Sequence, residues 1–247
     1  MTSRRPQATT RPVTGRVVTV DGPAGSGKST LGHRLGSALA LPVIDTGLFY
    51  RAITVAVVRA GLDATETAAI IALADRLAID INTNGDPSSD GWMVRVDGVD
   101  VSAAARDPLH ATLLSELSGI GEMRSRLVAR QRDLAQRGAV AVGRDCGTVI
   151  FPSAPVKLYL LAPGEVRTSR RAAQLRHAGA DVDAATLASE IRGRDSLDSG
   201  RAAAPLRAAT DAHVIDTGRY GVEEMVEEAL RICGDAGLTS SAAPRRP

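Results

Sequence analysis

The segment Gly22-Pro23-Ala24-Gly25-Ser26-Gly27-Lys28-Ser29-Thr30 decides the fold of this chain of 247 residues. It matches the pattern of a glycine, any four residues, Gly-Lys and then Ser or Thr, which is typical of loops that bind the phosphates of a nucleoside triphosphate. Glycines let the backbone N–H groups turn inward, and the helix that follows directs its positive end at the same anion. Lys28 adds a compact charge for the β- and γ-phosphates, and the Ser29 hydroxyl is a candidate ligand for Mg²⁺.

The residues on either side of this loop have the pattern of a strand before it and a helix after it. Farther along, short apolar runs alternate with helical patterns, which is typical of a parallel sheet covered on both faces. The predicted strands are Val17 to Val20, Pro42 to Ile44, Ala139 to Val142, Val156 to Leu161 and His213 to Asp216. We therefore predict an α/β fold with a five-stranded parallel sheet flanked by helices.

Two stretches interrupt this alternation. Residues 74–114 contain a dense run of turn-forming residues, Asn82 to Gly91, between two segments that alternate like a hairpin, which predicts a small β-rich insertion. Residues 161–179 carry four arginines around a helical pattern, and these are either solvated charges or a basic flap over a phosphate site. The four are Arg167, Arg170, Arg171 and Arg176.

The bulk composition limits the class of protein. Apolar residues make up 44% of the chain and aromatic residues only 2%, so aliphatic side chains must fill the core. Six arginines and no acid lie in residues 1–16 and 239–247, so the body between them carries 24 basic and 28 acidic side chains. A body of that charge argues against a nucleic-acid partner. Residues 1–14 and 235–247 are predicted to be disordered tails around a domain of residues 15–234.

The search for targeting signals and the spacing of the cysteines indicate the cellular compartment. No apolar run reaches the ~18 residues of a membrane span. The N-terminus lacks the apolar stretch of a signal peptide. Cys146 and Cys233 have neither the spacing of a metal site nor that of a disulfide framework. We expect a soluble cytoplasmic protein without a membrane partner.

The chain has two lysines, Lys28 and Lys157, and their positions limit the class of nucleotide-binding protein. Neither stands in the Asn-Lys-x-Asp motif with which a GTP switch reads guanine. Lys28 has its place in the phosphate loop, and we expect Lys157 to be solvated surface. The loop alone leaves open a small-molecule kinase and a non-catalytic nucleotide-binding switch.

Three further polar clusters are candidates for an acceptor site because ligands of such sheets bind at the strand ends. Asp45 to Arg51 follows the second strand, where Thr46 and Arg51 either bind a phosphate or serve as a helix N-cap and a surface charge. Gly143 to Thr148 follows the third strand. Its Arg144-Asp145 pair is either a structural ion pair or a reader of phosphate and base. Arg194 to Arg201 is either a third part of the site or a solvated helix end.

In order along the chain, these motifs resemble those of the bacterial cytidylate kinase family. The resemblance runs from about Val17 to Cys233, and several motifs in order are far more specific than the phosphate loop alone. The matching motifs are Asp21-Gly22-Pro23-x-Gly25-x-Gly27-Lys28, Asp45-Thr46-Gly47-x-x-Tyr50-Arg51, Gly143-Arg144-Asp145-x-Gly147-Thr148-Val149-x-Phe151-Pro152, Arg194-Asp195-x-x-Asp198-Ser199-x-Arg201 with Ala204-Pro205-Leu206, and Asp211-Ala212-x-x-Ile215-Asp216-Thr217.

The resemblance implies a P-loop nucleoside monophosphate kinase fold whose insertion (74–114) binds the acceptor and whose short lid (161–179) closes over the site. It implies ATP and Mg²⁺ as cofactors, CMP or dCMP as substrate and a monomer. UMP or another monophosphate remains the alternative acceptor. Lys28, Arg144, Arg167 and Arg171 would be the catalytic residues. Thr46, Arg51 and Arg144 would hold the acceptor phosphate; Ser115, Arg124, Asp145 and Arg201 would read cytosine; Arg194 and Asp198 would reach the ribose or phosphate.

Two residues carry a chemical expectation of their own. Cytosine offers an amino donor where uracil offers a carbonyl, so a carboxylate such as Asp145 favours cytosine by leaving uracil unpaired. Cys146 stands where the family usually has a larger apolar residue. It is either a small buried hydrophobe, which is the favoured interpretation, or a reactive thiol near the site.

Overall fold

Strands and helices alternate along the chain as the sequence predicts. The structure, a computed structural model, describes residues 15–82, 92–177, 179, 182–201 and 203–239. The described strands are β1 (Val17–Asp21), β2 (Val43–Asp45), β3 (Ile79–Asn82), β4 (Met93–Val96), β5 (Val99–Asp100), β6 (Ala139–Gly143), β7 (Val156–Leu161) and β8 (His213–Asp216). The described α-helices are α1 (Lys28–Leu39), α2 (Gly47–Ala60), α3 (Thr67–Arg76), α4 (Ala111–Ser118), α5 (Gly121–Leu134), α6 (Gly164–His177), α7 (Ala184–Gly200) and α8 (Val222–Asp235).

The predicted N-terminal tail, residues 1–14, lies outside the described residues. Parts of three other predicted segments also lie outside them: residues 83–91 of the turn-rich run, residue 178 of the predicted lid and residues 240–247 of the C-terminal tail.

The central sheet has five parallel strands in the order β2-β6-β1-β7-β8. Every residue of β1 and of β6 is buried, as expected for inner strands that are covered on both faces. All five strands that the sequence predicts are confirmed. Their carboxyl ends meet at one edge of the sheet, where the phosphate loop and the loop after β6 begin.

Glycines on helix α1 face the sheet and allow the helix to pack against it. Leu31 and Leu35 are fully buried in the core. A Cβ at Gly36 would overlap the side chain of Val43 and lie 2.9 Å from the carbonyl oxygen of Leu41. The missing side chain therefore lets the helix that carries Lys28 approach β2.

The predicted hairpin is confirmed and gains a third strand. β3, β4 and β5 form an antiparallel sheet, in which Ile79 pairs with Val96 and Ile81 with Val94. The buried side chains of this small sheet join the main core. The indole Nε1 of Trp92 donates to Nε2 of His33 on α1 at 2.7 Å and ties the insertion to the phosphate-loop helix.

Helices α3, α4 and α5 were not recognised from the sequence. In α5 the buried face includes Arg124 and Gln131 beside Met123 and Leu127, so a purely apolar periodicity is missing. Arg124 belongs to the site described below, and Nε2 of Gln131 donates to the carbonyl oxygen of Thr46 at 3.2 Å. The apolar periodicity that would predict a helix is therefore missing in α5, because polar residues occupy part of its buried face.

The expectation that Lys157 is solvated is wrong. Its side chain is buried on β7, and its Nζ donates to the carbonyl oxygen of Pro152 at 2.6 Å and to the carboxylate of Asp211 at 2.7 Å. β7 is an inner strand, so a polar residue on it stays buried and needs partners. Lys157 thus links β7 to the segment before β8.

We predict that Gly36→Ala lowers the free energy of unfolding by about 1–3 kcal/mol, because the new methyl group forces α1 away from β2. Gly234→Ala is the matched control, since this exposed helical glycine has open space around its Cβ position. It should raise the free energy of unfolding by up to about 1 kcal/mol through helix propensity. Urea denaturation of both variants tests this, and a change of the same sign in both would contradict it.

Candidate active site

The phosphate loop joins β1 to α1, as its sequence requires. Gly25 and Gly27 have φ of +75° and +93°, a conformation that glycine adopts without strain. A Cβ at Gly22 would overlap the carbonyl group of Leu160 on β7. The loop therefore has its backbone N–H groups and the first turn of α1 at the carboxyl edge of the sheet, where they suit an anion.

Lys28 is the first residue of α1 and is buried. Its Nζ donates to the carbonyl oxygen of Pro23 within the loop at 2.6 Å. Burial lowers the pKa of Lys28 well below its usual value, and the positive charges of Arg144 and Arg194 lower it further. Two motifs that are far from the phosphate loop in sequence thus place the positive charges of Arg144 and Arg194 near Lys28.

Helix α6 holds the phosphate loop from outside through Arg167. Its Nη1 donates to the carbonyl oxygen of Ala24 at 3.2 Å and pairs with the carboxylate of Asp195 on α7 at 2.6 Å. Arg167 is buried, whereas Arg171 is exposed and makes one long hydrogen bond, 3.4 Å, to Gln174. The two arginines predicted to act together therefore occupy different environments in this structure.

A second contact fixes the loop through Thr217, which follows β8. Its hydroxyl donates to the carbonyl oxygen of Ser26 at 3.0 Å and accepts from Nη1 of Arg170 at 3.0 Å. The sequence motif contained Thr217, but no role was derived for it. The position of this residue depends on how β8 lies beside β7, which no local pattern shows.

The beginning of α2 lies at the same sheet edge. The Thr46 hydroxyl donates to the carbonyl oxygen of Val142 on β6 at 3.1 Å, and it makes no side-chain cap of the helix. Nη1 of Arg51 donates to the carbonyl oxygen of Ala105 in the insertion at 2.7 Å. Burial lowers the pKa of Arg51, and the positive charges of Arg171 and Arg144 lower it further.

Asp198 joins the loop after β6 to α7. Its carboxylate is buried, accepts from Nε of Arg144 at 2.9 Å and forms an ion pair with Arg201. Nη2 of Arg201 also donates to the hydroxyl of Ser118 on α4 at 2.9 Å. The solvated helix end considered from the sequence is thus a buried charge network.

Arg124 and Asp145 form a second buried ion pair. Nη1 of Arg124 donates to the carbonyl oxygen of Ser118 at 2.8 Å, and the Tyr50 ring lies 5.2 Å from its guanidinium carbon. Within the described part of the chain, the Oδ1 atom of Asp145 has no hydrogen-bond partner. One carboxylate oxygen of a fully oriented side chain thus remains for a ligand.

Arg194 and Ser115 also lie in this region. Burial and the nearby charge of Arg144 lower the pKa of Arg194 to about 10. Neither Arg194 nor the hydroxyl of Ser115 makes a hydrogen bond with the described residues. A half-buried guanidinium without such a partner is suited to an anionic ligand.

Cys146 is fully buried, and its Sγ lies 3.7 Å from the hydroxyl of Thr46. Burial raises the pKa of the Cys146 thiol well above its usual value, and the charges of Asp21 and Asp145 raise it further. A buried thiol with a raised pKa lacks the exposure and thiolate character that reactive cysteines share. The interpretation as a small buried hydrophobe is confirmed.

The phosphate loop and the arginine–carboxylate cluster share one sheet edge, and this arrangement defines an ATP-dependent P-loop nucleoside monophosphate kinase. The model of the cytidylate kinase family matches residues 18–234. The chain belongs to the cytidylate kinase family.

Cytidylate kinases from several bacteria are similar to this chain along most of its length. Cytidylate kinase of Nocardia farcinica is 41% identical over 92% of this chain and 97% of its own length. Cytidylate kinase of Corynebacterium glutamicum is 40% identical over 90% and 95%, and that of Vibrio parahaemolyticus is 41% identical over 87% and 94%. Among solved structures, a gluconokinase from Sinorhizobium meliloti resembles the chain only distantly, with 16% identity, a TM-score of 0.44, and coverage of 91% and 94%.

We predict that Asp198→Ala lowers the free energy of unfolding by about 3–5 kcal/mol, because Arg144 and Arg201 keep their buried charges without the carboxylate between them. Asp75→Ala is the control, since the Asp75–Arg126 pair is nearly half exposed on both sides. It should change the free energy of unfolding by less than about 1 kcal/mol. Equal losses in the two variants, measured by denaturant unfolding, would contradict the buried network.

Proposed function

We propose that the chain transfers the γ-phosphoryl group of ATP to CMP or dCMP, giving ADP and CDP or dCDP. The observation that carries the proposal is the site's charge pattern. Arg51, Arg144 and Arg194 bring positive charge to the same sheet edge as the phosphate loop, and the buried carboxylate of Asp145 lies beside them. Anion binding explains the arginines, and a base with an exocyclic amino group explains the carboxylate.

For the donor, we assign the loop Gly22 to Thr30 to the phosphates of ATP. Gly25 and Gly27 have positive φ, a conformation that lets backbone N–H groups turn toward an anion, and Lys28 supplies the charge for the transferring group. Ser29, in the first turn of α1, fits Mg²⁺, which takes few protein ligands and keeps waters and phosphate oxygens around it. Mg²⁺, when bound, neutralises phosphate charge during transfer.

For the acceptor phosphate, we assign Thr46, Arg51 and Arg144, with Arg194 reaching the phosphate or the ribose beside Asp198. The support is electrostatic. The pKa values of Arg51 and Arg194 are both lowered by burial and by positive neighbours, so a dianionic phosphate would relieve unfavourable repulsion there. The insertion contributes through the bond from Arg51 to Ala105.

For the base, we assign Asp145 to the amino group of cytosine, with Ser115, Arg124 and Arg201 around it. Arg124 orients Asp145 through their ion pair and is itself held by Ser118 and Tyr50. Uracil would bring a carbonyl oxygen to the carboxylate, and the unpaired contact disfavours it.

In phosphoryl transfer, the residues of the site would position the two substrates and neutralise their negative charge. The acceptor phosphate is already anionic, so no strong general base is required. Lys28, Arg144, Arg167 and Arg171 would stabilise the charge that develops on the transferring group. In that role Arg167 would have to exchange its contact with Ala24 for the phosphate, whereas Arg171 stands at the surface and needs only to turn inward.

A lid closing over the two substrates would keep water from the γ-phosphate. We propose residues 161–179 as this lid and residues 74–114 as the acceptor-binding insertion. The lid helix α6 packs on α7 through Ala172, Leu187 and Ile191, a small apolar cluster separate from the main core. Because this cluster is separate from the main core, closure of α6 would exchange polar contacts such as that of Arg167 with Ala24 rather than open the main core.

We further propose that the protein is monomeric and cytoplasmic, in line with the family resemblance. Of the helices in the described parts of the chain, none has the length and apolar character that crossing a membrane requires. The substrates are small molecules, and the net acidity of the body speaks against nucleic acid as a partner.

The function is tested by ADP release in a coupled assay with CMP, dCMP, UMP, other monophosphates and water as acceptors. We expect release with CMP and dCMP that far exceeds release with water. Lys28→Ala should reduce turnover by at least about 10³-fold, because the phosphates lose their closest charge. Preference for UMP would favour the alternative acceptor, and nucleotide binding without acceptor-dependent release would favour a non-catalytic switch.

We predict that Asp145→Asn lowers the ratio of kcat/KM for CMP to that for UMP by about 10–100-fold, since an amide offers uracil a donor. The asparagine also keeps the shape that packs against Arg124. Glu122→Gln, an exposed change in the same helix as Arg124, is the control and should leave the ratio unchanged. An unchanged ratio in Asp145→Asn would remove Asp145 from base reading.

A further inference from the structure

Asp21 is the last residue of β1 and directly precedes the phosphate loop, but its carboxylate contacts the acceptor side of the site. Its Oδ1 accepts from the backbone N–H of Cys146 at 2.9 Å, and its Oδ2 accepts from that of Gly147 at 2.7 Å. The side chain is almost completely buried. A residue of the donor motif therefore binds the backbone of the acceptor motif.

The two N–H groups belong to the segment that follows Arg144 and Asp145. Here the chain leaves β6 and enters a single π-helical turn, Cys146–Ile150. In the sheet, Asp21 also pairs with Gly143, the last residue of β6. Arg144 and Asp145 are thus held between two points that both depend on Asp21.

The fit around this contact is tight. A Cβ at Gly147 would lie 2.9 Å from the hydroxyl of Thr19 and 3.4 Å from Oδ2 of Asp21. Glycine lets the chain pass close enough to β1 for both N–H groups to reach one carboxylate. The segment that follows β6 therefore has little room to shift relative to β1.

A buried carboxylate is costly for the fold, and Asp21 has no ion pair within the described residues. Burial raises the pKa of Asp21 to about 6, while the N–H groups of Gly147 and Cys146 act in the opposite direction. Above that pH the group is an anion that holds two N–H donors. An apolar residue would spare the fold this cost but would leave the buried N–H groups of Cys146 and Gly147 without an acceptor. The two oriented hydrogen bonds are therefore what the carboxylate contributes.

We propose that Asp21 is a positioning residue for the acceptor site, whose carboxylate sets the orientation of Arg144 and Asp145 through the N–H groups of Cys146 and Gly147. The inference rests on the proposed function of Arg144 and Asp145. It adds that their placement depends on the residue next to the donor loop. Asp21 itself contacts neither substrate.

The test compares Asp21→Asn with Thr19→Val on the same strand. Asparagine keeps the shape but directs an N–H₂ group at one of the two backbone donors. Valine removes a buried hydroxyl that has no hydrogen-bond partner in the described structure and leaves the carboxylate in place. Initial rates are measured at pH 7.5 with CMP and UMP, and KM is measured separately for ATP and for CMP.

For Asp21→Asn we expect KM for CMP to rise about tenfold or more and the preference for CMP over UMP to fall several-fold, as for a lost hydrogen bond that orients the site. KM for ATP should stay within about twofold, a change too small to reflect a lost contact. Thr19→Val should resemble the unchanged chain in all three values. If Asp21→Asn does not fold, Asp21→Ala, which leaves room for a water on the N–H groups, replaces it with the same expectation.

A lower melting temperature with unchanged KM for CMP and unchanged base preference would overturn the proposal and leave Asp21 a structural role. An equal rise of both KM values would also overturn it, because the effect would then come through the phosphate loop. Failure of the proposed function looks different. In that case the unchanged chain itself shows no CMP-dependent release, and the comparison is made with the acceptor that it phosphorylates best.

Discussion

The parallel pairing of β1 with β6 on one side and β7 on the other is the constraint on which the site depends. It brings the ends of three strands to one edge, so that the phosphate loop after β1, the Arg144-Asp145 segment after β6 and the base of the lid after β7 become neighbours. Parallel strands require long crossovers, and those crossovers supply the helices and the insertion. The same pairing therefore creates both the donor site and the space beside it for an acceptor.

The second constraint is the cost of burying charge. The site contains buried ion pairs in which the two side chains orient each other. Arg124 pairs with Asp145, and Asp198 pairs with both Arg144 and Arg201. Such pairs add little net stability compared with apolar residues, but they hold charged groups in defined places. Arg194, by contrast, has no such partner in the described residues and carries a lowered pKa. The site thus combines charged groups that already have ionic partners with one arginine, Arg194, whose charge a bound phosphate would neutralise.

The cytidylate kinase family gives these charges a consistent chemical meaning. Phosphoryl transfer between two nucleotides needs two polyanions held close together with little covalent assistance from the protein. In the proposed site, Lys28 and Arg144 would supply positive charge between them, and Asp145 would select the base. Asp21, one residue before the donor loop, connects the two halves through backbone N–H groups rather than through either substrate.

Much of this was available in the sequence. The phosphate loop and the five strands were recognisable because glycine-rich loops and β-branched runs are local signals. The acceptor motifs at Thr46 to Arg51, Gly143 to Thr148 and Arg194 to Arg201 were recognisable through their resemblance to the motifs of a known family. Helix α5 was missed because its inward face carries Arg124 and Gln131 beside the apolar residues Met123 and Leu127. The burial of Lys157 was missed because its partner Asp211 is 54 residues away.

By itself, the sequence determined the fold class, the donor loop and the set of residues available for chemistry, because these depend on neighbours along the chain. Only the tertiary structure decided how those residues pair. It placed Asp198 between Arg144 and Arg201, aimed Arg167 at the phosphate loop, and turned the Asp21 carboxylate toward Cys146 and Gly147. Such contacts depend on strand order and on helix approach, which arise from the packing of the whole core and leave no mark in any short segment.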